Sequence, residues 1–170
     1  DGYSVIHHSN NTSLSGTDYT VVLHAIPGNA DNEFLFSYGS GSAVGGGMDI
    51  ALLDTGKIRT RHSGTTLTGT SVLTTDNETP FSVTVIHRAS SSDGKDLKLY
   101  VNGALEDYYA GTLPNIIASA NTAIAGQDGL ATYMFQGKME EVVVYNQALW
   151  VPESEDELIL NTADLPYTVD

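Results

Sequence analysis

Paired carboxylates are the residues of this chain that could carry out acid–base chemistry on a glycosidic bond. A retaining glycosidase needs two carboxyl groups about 5 Å apart, and on a β-strand such a pair shares a face only at i, i+2 or i, i+4 spacing. The pairs Glu106-Asp107 and Glu140-Glu141 are adjacent residues, so we expect them to point to opposite faces of any strand. The spacing predicts no catalytic dyad, and we expect a protein that is not an enzyme.

The cysteine, serine and histidine content of the chain does not predict nucleophilic catalysis or a zinc site. The chain contains no cysteine, which excludes a thiol nucleophile, a thiolate zinc site and a disulfide framework. It has no Gly-x-Ser-x-Gly segment, the turn that presents a nucleophilic serine in α/β-hydrolases. His24, His62 and His87 are isolated in sequence and are interpreted as ordinary strand or surface residues.

The charge balance limits the partners that the protein can have. The net charge is −14, with seven Lys and Arg among 170 residues, so nucleic acid is excluded as a partner because its phosphates need clustered cations. The one basic cluster, Lys57–His62, alternates with other residues and is interpreted as a solvated strand face rather than an anion site. No apolar run approaches the roughly 20 residues of a membrane span, so we expect no membrane insertion.

Period-two alternation of apolar and polar residues dominates the chain and predicts β-strands. The turn segments Asp54–Lys57 and Asn102-Gly103 predict tight hairpins, the second of type I′ because both residues tolerate positive φ. Many short strands at this spacing favour an all-β, two-sheet antiparallel sandwich forming one domain over residues 1–170. One short acidic helix is predicted over Pro152–Leu160, where proline and carboxylates occupy the first turn.

Three segments resemble the laminin G-like and pentraxin family. They are the strand-turn Leu97–Gly103, the segment Ile124–Asp128 and the strand Phe135–Leu149 with its Val-Tyr-Asn-Gln-Ala-Leu ending. The resemblance implies a concanavalin A-like jelly roll that binds glycans or other extracellular ligands.

The same resemblance implies a calcium site. In pentraxins an Asp-Asn-Glu segment and a Gly-Gln-acidic segment supply calcium ligands, which here places that role on Asp31, Asn32 and Asp128. Oxygen donors from two loops suit calcium, which takes six to eight oxygen ligands. The pentraxin cysteine pair is missing from this chain, and the alternative interpretation is that these are ordinary turn residues.

Glycan recognition needs aromatic side chains on which sugar rings stack, beside polar groups that bond the hydroxyls. Tyr38, Tyr108, Tyr109 and Tyr133 fall in predicted loops or strand ends and are the predicted ligand-binding residues. Because the net charge repels polyanions, we expect a neutral or weakly charged glycan, with anionic glycans binding only through calcium.

These observations predict a non-catalytic, extracellular carbohydrate-binding module. The calcium site that the resemblance implies would make its glycan binding depend on calcium. One alternative is a structural or adhesion domain on a virion or cell surface, with a protein of that surface as its partner. A polysaccharide-cleaving enzyme is the other alternative, and the carboxylate spacing disfavours it. Because the chain begins at Asp1 without methionine, we expect a processed product or a fragment of a longer protein.

Overall fold

A computed structural model describes residues 6–8, 14, 18–39, 46–89, 94–114, 116, 122–126 and 133–149. It is a sandwich of two antiparallel sheets, as the sequence predicts. The six-stranded sheet contains, in spatial order, β1 (Ile6–His8), β10 (Thr122–Ile124), β3 (Glu33–Tyr38), β4 (Met48–Leu52), β5 (Ile58–His62) and β6 (Thr65–Thr68). The five-stranded sheet contains β11 (Gly137–Tyr145), β2 (Tyr19–Pro27), β7 (Phe81–His87), β8 (Leu97–Val101) and β9 (Ala104–Tyr109). The helix predicted at Pro152–Leu160 lies outside the described residues.

The core lies between the sheets because alternate residues of each strand point inward. On β2, Val21 and Leu23 have no exposed surface, and on β7 the same holds for Val83 and Val85. Burying one such aliphatic side chain stabilises the fold by roughly 1.5–3 kcal/mol. The inward alternation therefore fixes which residues of each strand face outward, where a ligand could reach them.

Both predicted hairpins are confirmed. Asn102 and Gly103 have φ values of 51° and 81°, the positive values that a type I′ turn requires. In the other hairpin, Gly56 donates its N–H to the Leu53 carbonyl at 2.9 Å, and Leu53 donates to the Lys57 carbonyl at 2.9 Å. This second turn sets the register between β4 and β5, which matters for the site described below.

The edge strands β6 and β9 were not predicted, since neither alternates clearly between apolar and polar residues. The expectation that the adjacent Glu106 and Asp107 point to opposite faces is wrong. The β8–β9 ladder shifts register between Leu99 and Tyr100, and both carboxylates reach the chain at the end of β6. Asp107 accepts the Thr68 N–H at 2.9 Å, and Glu106 accepts the Thr70 N–H at 2.7 Å. Both carboxylates therefore join the edges of the two sheets.

Candidate functional site

Strand β5 presents two arginines on one face of the sandwich. Its alternate residues Ile58, Thr60 and His62 are buried between the sheets. Arg59 and Arg61 therefore lie on the outer face of the six-stranded sheet, with 22% of each side chain exposed. In a chain with seven cationic residues, two of them lie side by side on this face.

A buried carboxylate lies between the two guanidinium groups. Asp49 on β4 is directly opposite Arg61 in the ladder, and 2% of its surface is exposed. The Arg61 Nε donates to Asp49 Oδ2 at 2.9 Å, while an Arg61 terminal nitrogen lies 2.6 Å from the same oxygen. Burial raises the pKa of Asp49, and the hydrogen bonds and charge of Arg61 oppose that rise by favouring the carboxylate.

Arg59 is bound less completely than Arg61. Its nearest terminal nitrogen is 3.6 Å from Asp49 Oδ1, beyond normal hydrogen-bond length. Its Nε is buried and has no hydrogen-bond partner in the described part of the chain. Burial lowers the pKa of Arg59, and the neighbouring Asp49 opposes that shift. The Nε is too buried to meet a ligand, but the terminal nitrogens of Arg59 form no short bond to Asp49 and keep donor capacity that the described residues are not seen to use.

Aromatic rings lie beside and beneath the guanidinium groups. The Phe34 ring is buried, and its centroid lies 5.8 Å from both the Arg59 and Arg61 Cζ atoms, a cation–π arrangement. Tyr133 packs edge-on against Phe34 with centroids 5.9 Å apart, and 42% of its surface is exposed. We call the set Phe34, Asp49, Arg59, Arg61 and Tyr133 the arginine face.

The four predicted tyrosines do not form one site. Tyr38 is buried in the core and accepts the Leu14 N–H at 3.2 Å, so its predicted exposure is wrong: it lies on the inward side of β3. Tyr109 is half-buried against the core. Tyr108 is 49% exposed on β9 of the other sheet, with the Lys95 Nζ 4.8 Å from its ring centroid. Of the four, Tyr133 is the one that belongs to the arginine face.

The predicted calcium ligands lie at the start of β3, with one exception. Asp31 is exposed and Asn32 has a φ of 54°, whereas Asp128 lies outside the described residues. The next residue, Glu33, is 1% exposed, and one of its oxygens has no partner among the described residues. Burial raises the pKa of Glu33, and the nearby charge of Asp31 raises it further.

These oxygens fit a hard cation in chemical type. Within the ranges that the structure describes, no three His, Asp or Glu side chains converge as a metal cluster. Calcium binding through Asp31, Asn32 and Asp128 therefore stays a prediction.

Behind the arginine face, the inward side of β5 carries a stack of rings that the sequence did not indicate. His62 lies with its ring centroid 4.5 Å from that of His87 and 5.8 Å from that of Tyr19. The His62 Nε2 is 3.0 Å from the Pro114 carbonyl, which can only accept, so Nε2 carries the proton. Nδ1 then accepts the Tyr19 hydroxyl at 2.7 Å. With both ring nitrogens engaged, His62 is neither a metal ligand nor a general base.

A family model described as the Concanavalin A-like lectin/glucanases superfamily matches residues 1–153. The chain belongs to this superfamily. The resemblance to laminin G-like and pentraxin domains is thereby confirmed. No curated protein matches the chain.

Solved structures share this Concanavalin A-like fold at low sequence identity. The CBM40 module of the Ruminococcus gnavus IT-sialidase, bound to α2,3-sialyllactose, is 18% identical with a TM-score of 0.64, covering 81% of this chain and 80% of that one. A heptameric SAP-like pentraxin from Limulus polyphemus is 13% identical with a TM-score of 0.59, covering 81% and 68%. The leech intramolecular trans-sialidase is 21% identical with a TM-score of 0.64, covering 92% of this chain and 25% of that enzyme.

The pairing of Asp49 with the arginines of β5 can be predicted from the sequence. The Asp54–Lys57 hairpin fixes the register that pairs Asp49 with Arg61, and period-two alternation then puts Arg59 on the same face. The interpretation of Lys57–His62 as a solvated strand face is therefore incomplete, because Arg59 and Arg61 are only 22% exposed and contact buried Asp49.

In the described part of the chain, no helix has the length and apolar character needed to cross a membrane.

Proposed function

We propose that this protein is a non-catalytic carbohydrate-binding module and that the arginine face is its ligand site. The observation that supports the proposal most directly is an exposed aromatic ring, Tyr133, packed against the Phe34 ring that both guanidinium groups also contact. Tyr133 offers a surface on which a sugar ring can stack. The terminal nitrogens of Arg59, whose side chain is 22% exposed and whose nearest approach to Asp49 is 3.6 Å, offer donors for polar substituents of the sugar. The protein shares its fold with a module bound to sialyllactose, which also supports the proposal.

We propose further that the ligand carries a carboxylate. Two guanidinium groups and one carboxylate leave an excess positive charge on the arginine face, although the whole chain carries −14. At physiological salt the Debye length is about 8 Å, so distant surface acids are screened while a bound carboxylate contacts Arg59 directly. This differs from the neutral glycan that net charge alone predicts, because the local arrangement determines the contact energy.

The two arginines have different roles in this proposal. Arg61 is held by Asp49 through short bonds, so it supports the face and is not expected to reorganise for a ligand. Arg59 is expected to form the charge-assisted hydrogen bonds to the sugar, which contribute about 1.5–3 kcal/mol each. Buried Phe34 supports both guanidinium planes from below.

A glycan array followed by calorimetric titration of the best ligand tests the proposal. Arg59→Ala should weaken binding about 10- to 150-fold, the equivalent of about 1.5–3 kcal/mol. Tyr133→Ala should cost on the order of 1–3 kcal/mol, by analogy with base stacking on aromatic side chains. Tyr108→Ala is the matched control, since it removes a tyrosine of similar exposure, 49% against 42%, from the other sheet.

Three results would contradict the proposal. One is an array that is silent for acidic and neutral glycans, with and without calcium, while the protein assembles into a symmetric particle; the structural or adhesion alternative would then replace it. Another is equal loss of binding in Tyr108→Ala and Tyr133→Ala, which would move the site. Release of reducing sugar from a polysaccharide panel would establish the enzyme alternative.

Calcium is a separate part of the proposal. Asp31, Asn32 and Asp128 are the residues that would hold the ion. The observation that fits it is the buried oxygen of nearby Glu33, for which the described residues supply no partner. A bound ion would order the start of β3, which carries Phe34. An extracellular location accords with a glycan ligand and is proposed with it.

A further inference from the structure

The outer face of the five-stranded sheet carries a strip of buried residues at its centre. Val22, Thr84 and Tyr100 are neighbours across β2, β7 and β8, and Thr20 and Ile86 form the adjacent row. All five point away from the core, and all five are less than 8% exposed. We call these residues the outer strip.

Other parts of the same face are open to solvent. Tyr108, at the β9 edge, is 49% exposed, and the His24 side chain, one row beyond Val22 along β2, is 44% exposed. On β11 the outward residues Val143 and Tyr145 are half-buried. Every described strand belongs to one of the two sheets, and the second sheet packs on the inner face. The cover over the outer strip is therefore chain that is not one of the described strands.

The described chain that follows β11 turns onto this face. The Thr20 hydroxyl donates to the Gln147 carbonyl at 3.0 Å, and Leu149 donates its N–H to the same hydroxyl oxygen at 2.9 Å. Thr20 lies at one end of the outer strip. The chain thus arrives at the strip with residues 150–170 still to follow.

We propose that residues 150–170 dock on the outer strip and are an integral part of the domain. Across three strands spaced about 4.8 Å apart the strip spans about 10 Å, and the nine residues predicted as a helix extend about 13 Å. If the helix begins one residue earlier, at Val151, that residue shares a face with Leu158 and Ile159, since the spacings are seven and eight residues. The apolar face then meets Val22, Ile86 and Tyr100, and the carboxylates of the segment stay in solvent.

The docking has a consequence for recognition. A ligand is excluded from the centre of the five-stranded sheet by the protein's own chain, so a broad sugar surface must lie elsewhere. This consequence does not depend on the arginine face being the ligand site, and each can fail without the other.

Cysteine cross-linking in the full chain tests the docking, because the protein has no cysteine of its own. Thr84→Cys is combined in turn with Leu158→Cys and Ile159→Cys, and each pair is treated with a short bismaleimide. The matched control replaces Thr84→Cys by Thr66→Cys, on the outer face of the other sheet. We expect intramolecular cross-links several-fold more abundant with Thr84→Cys, measured by mass spectrometry of peptides. Equal yields, or none with Thr84→Cys, would overturn the proposal.

Thiol labelling supplies a second readout that requires no cross-linking geometry. Thr84→Cys should react at least tenfold more slowly than Thr66→Cys in the otherwise unaltered full chain. Adding Leu158→Asp and Ile159→Asp should abolish that protection, whereas Asn161→Asp and Thr162→Asp add the same charge and should preserve it. Val85→Cys, on the inner face, reports whether the core remains closed. Rapid labelling of Thr84→Cys in the unaltered chain would show the outer strip to be open and the proposal wrong.

Discussion

Acid should destabilise this protein through one buried imidazole. His62 is 1% exposed and packs against Tyr19 and His87, with both nitrogens engaged in the neutral form. Burial, with a further contribution from His87, lowers the pKa of His62 to about 4 from an ordinary value of 6.5. Protonation would place a charge beside a second imidazole with no carboxylate among the contacts recorded for the His62 ring.

The size of the effect follows from the difference between the two pKa values. Between pH 6.5 and 4 the unfolded chain binds a proton at this histidine that the folded chain does not, so stability falls as the pH falls. The stabilisation is complete above pH 6.5, and its loss approaches about 3 kcal/mol near pH 4, at 1.36 kcal/mol per pKa unit. That is a large share of the 5–15 kcal/mol that holds a typical domain folded.

Urea unfolding at several pH values between 7 and 4 measures this loss. His62→Gln removes the titrating group, so the variant should be less stable at pH 7 but lose less free energy on acidification than the native chain. The control is His24→Gln, because the His24 side chain is 44% exposed near Glu141 and lies outside the ring stack; the pH dependence lost in His62→Gln should exceed that lost in this variant. If His62→Gln retains the full pH dependence, neutral burial of His62 is not its cause.

The remaining predictions concern an inter-sheet contact, a turn and the metal. Glu106→Gln should lower the free energy of unfolding by about 1 kcal/mol in urea at pH 7. Burial raises the pKa of Glu106, but hydrogen bonds from Ser71 and Thr70 bring it to about 2. The difference in stability from the native chain should therefore shrink as the pH falls from 4.5 through 2. Gly103→Ala should destabilise by about 1–2 kcal/mol, because φ is 81° there, and an unchanged urea midpoint would contradict this. Calcium should raise the melting temperature of the native chain, and Asp31→Asn should abolish that rise. A melting temperature that does not move at millimolar calcium would contradict the predicted calcium site.

The fold was predictable because each of its signals is local. The alternation in β2 and β7 and the Asn-Gly turn depend only on neighbouring residues, and all three are confirmed. Strand β9 was missed because its residues are mostly half-buried without a clear period. An edge strand has one paired side and few apolar contacts, so its sequence carries little of the pattern that central strands show.

The candidate site was predictable in part. Tyr38 and Tyr133 were equivalent as sequence features, yet one is buried in the core and the other is 42% exposed. Tyr38 is buried because it lies on the inward side of β3. Tyr133 lies outside β3 and is positioned by its contact with Phe34, almost 100 residues away in sequence. The meeting of His62 with His87 is likewise a contact between the two sheets. No local pattern encodes such pairs, whereas the Asp49–Arg61 pairing needed only one correctly interpreted turn.

Strand β5 connects the stability of the protein to its proposed recognition, because alternate residues serve the two. Arg59 and Arg61 lie on the outer face, where the ligand is proposed to bind, while His62 faces the core one residue further on. At pH 5 the titration of His62 removes about 2 kcal/mol, which leaves a domain of ordinary stability almost wholly folded. The guanidinium groups stay charged throughout this range, and a sugar carboxylate with an ordinary pKa near 4 stays mostly ionised at pH 5. Acid therefore weakens the fold well before it weakens the contact through Arg59, and affinity measured at pH 5 reports on the arginine face alone.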